Sequence, residues 1–394
     1  ALRYRSEFSV MVIFCAQAQE AQRLLEEIPA FAPQLKTRLL PDWEILPYDH
    51  FSPHQDLVSE RLATLYELLN GSCDIVLVPI TTALQRLGPP NFLSGHTFFF
   101  RQGDKLNEAA LKLQLQQAGY DPVSAVMRPG EYSIRGGLID LFPMGSSLPY
   151  RLDLFGDEIE QIRAFDPDTQ RSLYPVKEVR LLPGHEFPFD DASRTAFRGR
   201  WREVFEGDPT RCSIYKDANL GIPSAGIESY LPLFFEESST VFDYFPRSGD
   251  PVWLVSIGDI EESIKGFWKD TLSRYEFLKH DLDRPILPPA DLFLDVDQFF
   301  TAAKPNARLT LNKEADKENS EAPQFLAVPD LSVHRRDADP INRLRALVSQ
   351  EKVRILICSD SNGRKESIRQ LFEESNSVAG QNGKPLYPLK PEGF

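Results

Sequence analysis

The sequence predicts an α/β protein whose parallel sheet is interrupted in sequence by a smaller, mostly antiparallel α+β domain. Almost wholly apolar runs, such as residues 9–16 (SVMVIFCA) and 73–80 (CDIVLVPI), are typical of strands buried on both faces, and amphipathic helical patterns alternate with them. After Phe98 the pattern changes to short strands separated by Gly-Gly and Gly-Asp pairs, which favour hairpins. The chain therefore divides into a parallel layer and an insertion.

The first predicted domain, residues 1–96, contains two helices and the two apolar strands. A helical pattern that includes residues 24–28 follows the first strand, and a second over residues 57–69 repeats leucine at helical spacing before the next strand. A turn-rich stretch, residues 41–53, separates the two helices. Buried strands that alternate with such helices predict a parallel sheet.

The insertion is predicted to form a second domain over residues 97–183. It begins with a strand at Phe98 and one helix, residues 107–118. Gly136-Gly137 and Gly156-Asp157 are hairpin signals between the strands that follow. These strands are expected at residues 131–135, 137–142, 150–155, 158–165 and 176–181.

The third predicted domain, residues 184–332, returns to longer helices and apolar strands and completes the parallel layer. A fourth, small α/β domain is expected over residues 333–394, after a polar, charged linker at 312–323. The elements expected in these two domains are a helix around Trp201, a strand at 251–257, a helix at 260–278, a helix from Asp339 to Gln350, a strand at 353–358 and a helix at 364–374.

Composition limits the classes of function. A chain of 394 residues exceeds what one core serves, and its net charge of −14 disfavours a stand-alone nucleic-acid binder, so a protein partner is the better expectation. We find no apolar run long enough for a membrane span. Four separated cysteines without a CxxC pair favour a reducing cytoplasm. The first residues lack both a secretion signal and an initiator Met, so the chain is expected to begin inside a longer protein.

Signatures of catalysis are missing from the sequence. The phosphate-binding pattern GxxxxGK[ST] is absent, since the one Gly-Lys pair, Gly383-Lys384, precedes a proline. His50 and His54 have helical spacing, but Pro53 lies between them, so they are interpreted as turn residues and not as metal ligands. No GxSxG elbow occurs. We expect no catalytic residue, metal or cofactor in this chain.

Two stretches carry a resemblance to a known family. They are residues 41–69 (PDWEILPYDHFSPHQDLVSERLATLYELL) and residues 128–183, which contain GEYSIRGGLIDLFP and RLDLFGDEIEQIRAFDPDTQ. With SAGIESYLPLFF at 224–235, they resemble the excision-repair protein UvrB and, more closely, the N-terminal UvrB-like module of the transcription-repair coupling factors (Mfd). The likeness covers roughly residues 8–332. It implies a degenerate RecA/helicase-like parallel α/β domain, split in sequence by the insertion.

Two departures distinguish the chain from UvrB itself. Residues 53–79 pass through one helix into the next strand, with no room for the DNA-clamping hairpin of UvrB. The strand that ends in Gly258-Asp259-Ile260-Glu261 lacks the adjacent Asp-Glu pair of a motor. The coupling factor family therefore fits the chain better than UvrB does. Residues 333–394 resemble the small third domain of that family in their position along the chain.

The resemblance implies that the insertion binds UvrA, with contacts at Arg135, Arg151 and Phe155. Strand periodicity agrees in part, since it places Arg151, Asp153 and Phe155 on one face of their strand. Leu152 and Leu154 lie on the opposite face. Aromatic and arginine side chains dominate interface energies. The alternative is an ordinary solvated face. Glu158 and Glu160 are expected nearby, where they could orient the arginines or simply be solvated. Trp43, Pro47 and Tyr48 are interpreted as packing and turn residues.

The function implied is a non-catalytic adaptor in nucleotide excision repair. In the family, contacts with RNA polymerase and DNA, and the ATP- and Mg-dependent motor, lie beyond the end of this chain. The alternative is a UvrB-like, ATP-dependent DNA-binding helicase half-motor, which would have to bind nucleotide. A direct DNA-binding module is disfavoured by the net charge.

Overall fold

The computed structural model describes residues 9–246, 251–311, 330–334, 337, 339–350, 357 and 359–379. The chain separates into two units, Ala1–Glu314 and Ala315–Phe394. The predicted linker at 312–323, the Gly383-Lys384 pair and, apart from Ile357, the predicted strand at 353–358 lie outside the described residues. The bounds predicted for the domains within the first unit stay predictions.

Strands and helices alternate at both ends of the first unit, and strands dominate its middle. The strands are β1 (Val10–Cys15), β2 (Thr37–Leu39), β3 (Ile75–Pro79), β4 (Phe98–Arg101), β5 (Asp121–Pro122), β6 (Glu131–Arg135), β7 (Leu138–Leu141), β8 (Tyr150–Phe155), β9 (Glu158–Phe165), β10 (Ser172–Val176), β11 (Glu178–Leu181), β12 (Val252–Ile257) and β13 (Ala307–Leu311). The α-helices are α1 (Ala18–Phe31), α2 (Gln55–Leu69), α3 (Ile80–Ala83), α4 (Pro90–Gly95), α5 (Glu108–Gln117), α6 (Asp191–Val204), α7 (Ser213–Leu220), α8 (Ile260–Leu278), α9 (Pro289–Leu292) and α10 (Val296–Ala303). Three 3-10 helices span Pro209–Arg211, Ile227–Phe234 and Val241–Tyr244.

The parallel sheet is assembled from both sides of the insertion. Its order is β13-β12-β1-β3-β2, and every neighbouring pair is parallel. Alternate residues of β1 enter two different cores, Val12 and Phe14 on one face and Ile13 and Cys15 on the other. Since both faces of β1 are covered, its sequence is a continuous apolar run and shows no alternation.

The insertion forms a six-stranded sheet of order β10-β9-β8-β7-β6-β5, antiparallel except for the pairing of β5 with β6. Gly136-Gly137 and Gly156-Asp157 connect successive strands as predicted. The strand predicted at 176–181 is confirmed as β11, except that it begins only after Lys177. Residues on the two sides of Lys177 belong to different sheets, because β10 pairs with β9 whereas β11 pairs with β4.

A buried ion pair joins the segment just after the insertion to the segment that precedes it. Arg61 on α2 is 0% exposed and its Nε donates to Glu186 Oε1 at 2.5 Å. Arg61 also donates to the carbonyl of Pro41 at 2.7 Å, and the Trp43 indole donates to the same carboxylate at 3.3 Å. These bonds satisfy groups that would be costly to bury alone, and they fix the loop that follows β2.

The second unit contributes two helices among the described residues, α11 (Asn342–Gln350) and α12 (Asn362–Ala379). Both overlap the helices predicted from the sequence. The mixed α/β class, with parallel and antiparallel sheets, is confirmed. The helicase-like ancestry of the parallel sheet stays a prediction.

Candidate partner-binding site

The predicted contact residues lie in the six-stranded sheet, and the strand register brings two of them together. Asp140 on β7 is directly opposite Ser133 on β6 and Arg151 on β8. Arg135, two residues after Ser133, is the diagonal neighbour of Asp140. Diagonal neighbours in an antiparallel sheet are within reach of long side chains, so one carboxylate can contact both arginines.

Asp140 holds both guanidinium groups. Arg151 binds it with two donors, Nε to Oδ1 at 2.7 Å and Nη2 to Oδ2 at 2.9 Å, and Arg135 Nη2 donates to Oδ2 at 2.6 Å. The Asp140 side chain is only 1% exposed. A buried carboxylate with three charge-assisted hydrogen bonds is well satisfied, and the two-donor geometry restricts the rotation of Arg151.

The two arginines differ in what they offer to a partner. Arg151 is 17% exposed, and its guanidinium lies 4.8 Å from the centre of the Phe165 ring. Hydrogen bonds to Asp140 raise the pKa of Arg151 above its usual value. Arg135 is 50% exposed. Arg151 therefore serves mainly to order this face, whereas Arg135 presents guanidinium surface to solvent.

Phe155 supplies a large apolar group at the same face. It ends β8, four residues after Arg151, and is 79% exposed. Leu152 is fully buried and Leu154 packs against the core, as the strand period predicted. An exposed aromatic ring near ordered arginines is able to fill an apolar pocket while the guanidinium groups meet carboxylates.

Sequence reasoning placed Asp153 on this face but missed two other charged members, Asp140 and Arg163. Asp140 carries the network, and next to it Asp153 forms an ion pair with Arg163 across β8 and β9. A signal for Asp140 was present, because an aspartate inside the apolar strand LIDL shares a face with Leu138 and not with Ile139 or Leu141. A carboxylate at the middle of a buried strand requires a cationic partner.

The glutamates considered for orienting the arginines do not do so. The carboxylate bound to Arg135 and Arg151 is Asp140, not Glu158 or Glu160. Glu158 lies opposite Phe155 at the β8–β9 turn, whereas Asp140 on β7 lies opposite Arg151, four residues earlier along β8. Both glutamates are exposed, which agrees with the other interpretation that the sequence left open, that of solvated charges.

Several residues tested for chemistry have structural roles. His54 caps α2 by accepting from the Asp56 amide, and Asp259 caps α8 by accepting from the Glu262 amide. In the described part of the chain there is no group of three His, Cys, Asp or Glu side chains that could hold a metal ion. Among the described helices, none has the length and apolar character needed to cross a bilayer.

Comparison with known proteins places this sheet in a family. The sequence model of the family described as "UvrB interaction domain" matches residues 98–187. The transcription-repair-coupling factor of Escherichia coli (strain K12) is 43% identical over 365 residues, which cover 92% of this chain and 31% of that protein. The chain is an N-terminal, UvrB-like module of the transcription-repair-coupling factor family.

Two other members of the family match over different shares of the chain. The Haemophilus influenzae (strain ATCC 51907 / DSM 11121 / KW20 / Rd) coupling factor is 39% identical over 92% of this chain and 32% of its own length. That of Myxococcus xanthus is 34% identical over 66% of this chain and 22% of its own length. The chain thus spans about a third of the length of the first two relatives.

Proposed function

We propose that this module is a non-catalytic adaptor that binds UvrA and recruits it to stalled RNA polymerase for nucleotide excision repair. The names of the relatives associate the family with the coupling of transcription to repair. The description of the matched domain refers to the UvrB repair system. One observation supports the proposal most directly: the exposed Phe155 shares a sheet face with two arginines ordered by a single carboxylate.

The geometry suits recognition of an acidic surface that has an apolar pocket. Burying a phenylalanine side chain contributes about 1.5–3 kcal/mol. Arg135 keeps half of its side-chain surface free, so it can donate to a carboxylate of the partner. Because Asp140 already fixes the guanidinium groups, little side-chain entropy is lost on binding.

The remaining activities of the family are assigned to other parts of the longer protein. In this proposal ATP, Mg, DNA and RNA polymerase are bound by segments outside this chain. The chain itself binds the repair protein UvrA. The chain accordingly need not bind nucleotide. Titration with a fluorescent ATP analogue distinguishes this adaptor from a UvrB-like half-motor, because a half-motor must show saturable binding.

Titration calorimetry with purified UvrA tests the proposal. Phe155→Ala is expected to weaken binding at least tenfold, about 1.4 kcal/mol, because it removes a central apolar contact. Arg135→Ala is expected to have a similar effect. Tyr174→Ala is the matched control, since Tyr174 is an aromatic residue 52% exposed on β10 of the same sheet.

The controls decide how the result is interpreted. Near-wild-type affinity in both Phe155→Ala and Arg135→Ala would remove this face from the binding site. An equal loss in Tyr174→Ala would mean that the sheet as a whole was disturbed. Failure of the wild-type chain to bind UvrA would refute the adaptor role itself.

A further inference from the structure

A cavity of about 300 Å³ lies outside the insertion and far along the chain from the residues of the partner-binding face. Its walls come from the loop after β2, α3 and the residues that follow it, the 3-10 helix Ile227–Phe234, α8, and the end of α9. The lining is largely aromatic and aliphatic and includes Trp43, Ile45, Tyr48, Phe267 and Phe293. Trp43, Pro47 and Tyr48, interpreted from the sequence as packing and turn residues, therefore also border an open space.

Gln85 brings an unsatisfied polar atom to this cavity. Gln85 is one of the lining residues and is 6% exposed, and its Oε1 has no hydrogen-bond partner. The backbone around Gln85 is fixed by a bridge to Phe293 and by a 2.8 Å bond from the Arg86 amide to the Leu292 carbonyl. A buried acceptor without a donor costs about 1–3 kcal/mol, so a ligand N–H at this position would be favoured.

The loop that forms one wall is held in a strained conformation. Glu44 has φ of 58° and Tyr48 has φ of 68°, in the left-handed region that non-glycine residues rarely adopt. The strain at Tyr48 is maintained by its hydroxyl, which donates to the Leu287 carbonyl at 2.9 Å, and by Arg284, which donates to the Tyr48 carbonyl at 3.0 Å. Strain of this kind clusters at ligand sites, where it keeps a cavity open in advance of binding.

The charges that line the cavity favour a cation. Three carboxylates, those of Asp42, Glu44 and Asp270, line the cavity together with the guanidinium groups of Arg86 and Arg274. Glu228 also lines it, but burial raises the pKa of Glu228 to about 7, so it is not counted among the charges. One of the two cations is already engaged, since Arg274 donates to the Pro47 carbonyl at 3.0 Å. Opposite charges in a partly enclosed, apolar space attract more strongly than they do in water.

We propose that this cavity binds a small organic cation, with a flat apolar body the size of one aromatic ring and an N–H-donating head directed at Gln85. The volume of about 300 Å³ lies at the lower end of the range for small-molecule sites, which limits the ligand to fragment size. The aromatic walls take the ring, and the amidinium, guanidinium or amine head supplies the donor that Oε1 lacks. This site is independent of the proposed UvrA contact.

Three probes with the same ring and different charges test the proposal: benzamidine (positive), benzamide (neutral) and benzoate (negative). Binding is followed by the fluorescence of Trp43 and by ligand-observed NMR on the whole chain. Benzamidine is expected to bind with a Kd in the millimolar range or below, at least fivefold more tightly than benzamide. Benzoate is expected to show no saturable binding.

Two variants connect the binding to the named residues. Gln85→Leu, which removes the orphan oxygen at similar size, is expected to weaken benzamidine at least fivefold. Asp270→Asn, at an exposed position on α8, is expected to weaken it two- to threefold without a loss of fold. Gln161→Leu, on β9 away from the cavity, is the control and is expected to leave binding unchanged. Tighter binding of benzoate than benzamidine, no binding of benzamidine, or full affinity in both cavity variants would overturn the proposal.

Discussion

Replacing Asp140 by alanine is expected to lower both the stability of the sheet and its affinity for UvrA. Removal of one partner from a fully buried ion pair costs about 3–5 kcal/mol, and from an exposed pair about 0–1 kcal/mol. Arg151 is 17% exposed and Arg135 is 50% exposed, so this network lies between the two limits. We expect the free energy of unfolding to fall by about 2–3 kcal/mol, since three charge-assisted hydrogen bonds disappear.

Urea unfolding followed by tryptophan fluorescence measures this change. All four tryptophans, at positions 43, 201, 253 and 268, belong to the unit that contains the sheet. Glu178→Ala is the control, because Glu178 forms an exposed ion pair with Arg101 on neighbouring antiparallel strands, and it should cost less than about 1 kcal/mol. If Asp140→Ala and Glu178→Ala cost the same, the carboxylate does not organise this face. UvrA affinity in Asp140→Ala should fall at least tenfold, because the arginines lose their fixed positions.

Two further predictions concern buried charges in the same unit. Arg61→Ala leaves Glu186 buried without its partner and should lower the free energy of unfolding by about 3–5 kcal/mol. The double variant with Arg61→Met and Glu186→Leu removes both charges and should recover most of that loss. A double variant as unstable as Arg61→Ala would contradict this explanation. Burial raises the pKa of Glu228 to about 7, above its ordinary value of 4.5, so its protonated form is favoured in the folded state and stability is lost as pH rises from about 4.5 through 7. The free energy of unfolding should therefore differ between pH 5 and pH 8, and Glu228→Gln should reduce that difference by up to about 3 kcal/mol. If the difference between the two pH values is the same in Glu228→Gln as in the wild type, Glu228 is not its source.

Local patterns predicted the elements whose surroundings are uniform along their length. β1, β3 and β12 are buried on both faces, and their apolar runs marked them within a residue or two. The hairpin glycines marked the turns between β6, β7, β8 and β9. By contrast, β2 has only three residues and β13 is mostly exposed, so neither has a distinctive pattern in the sequence. β2 forms because it pairs with the edge of β3, and β13 forms because it pairs with the edge of β12.

The sequence named the prominent members of the candidate site, whose role in binding stays a prediction, but it did not show how they are organised. Arg135, Arg151 and Phe155 came from the resemblance to the family, and the strand period agreed for the last two. To predict the role of Asp140, one has to know the register between β7 and β8. That register depends on pairing across the sheet and not on residues that are neighbours in sequence. The cavity near Gln85 could not be predicted for the same reason, since its walls come from five segments distant in sequence.

The split parallel sheet has a consequence for how the chain is made. β1 obtains its first neighbour when β3 has been synthesised, but its second neighbour, β12, begins 252 − 79 = 173 residues after β3 ends. At about 5–20 residues per second, the ribosome needs roughly 9–35 seconds to deliver it. During that interval one edge of the most apolar strand stays open on the nascent polypeptide, while the intervening hairpins fold by local pairing. Timely protection of that edge, by a chaperone or by slow emergence from the ribosome, should therefore govern the yield of correctly assembled protein more than the final stability does.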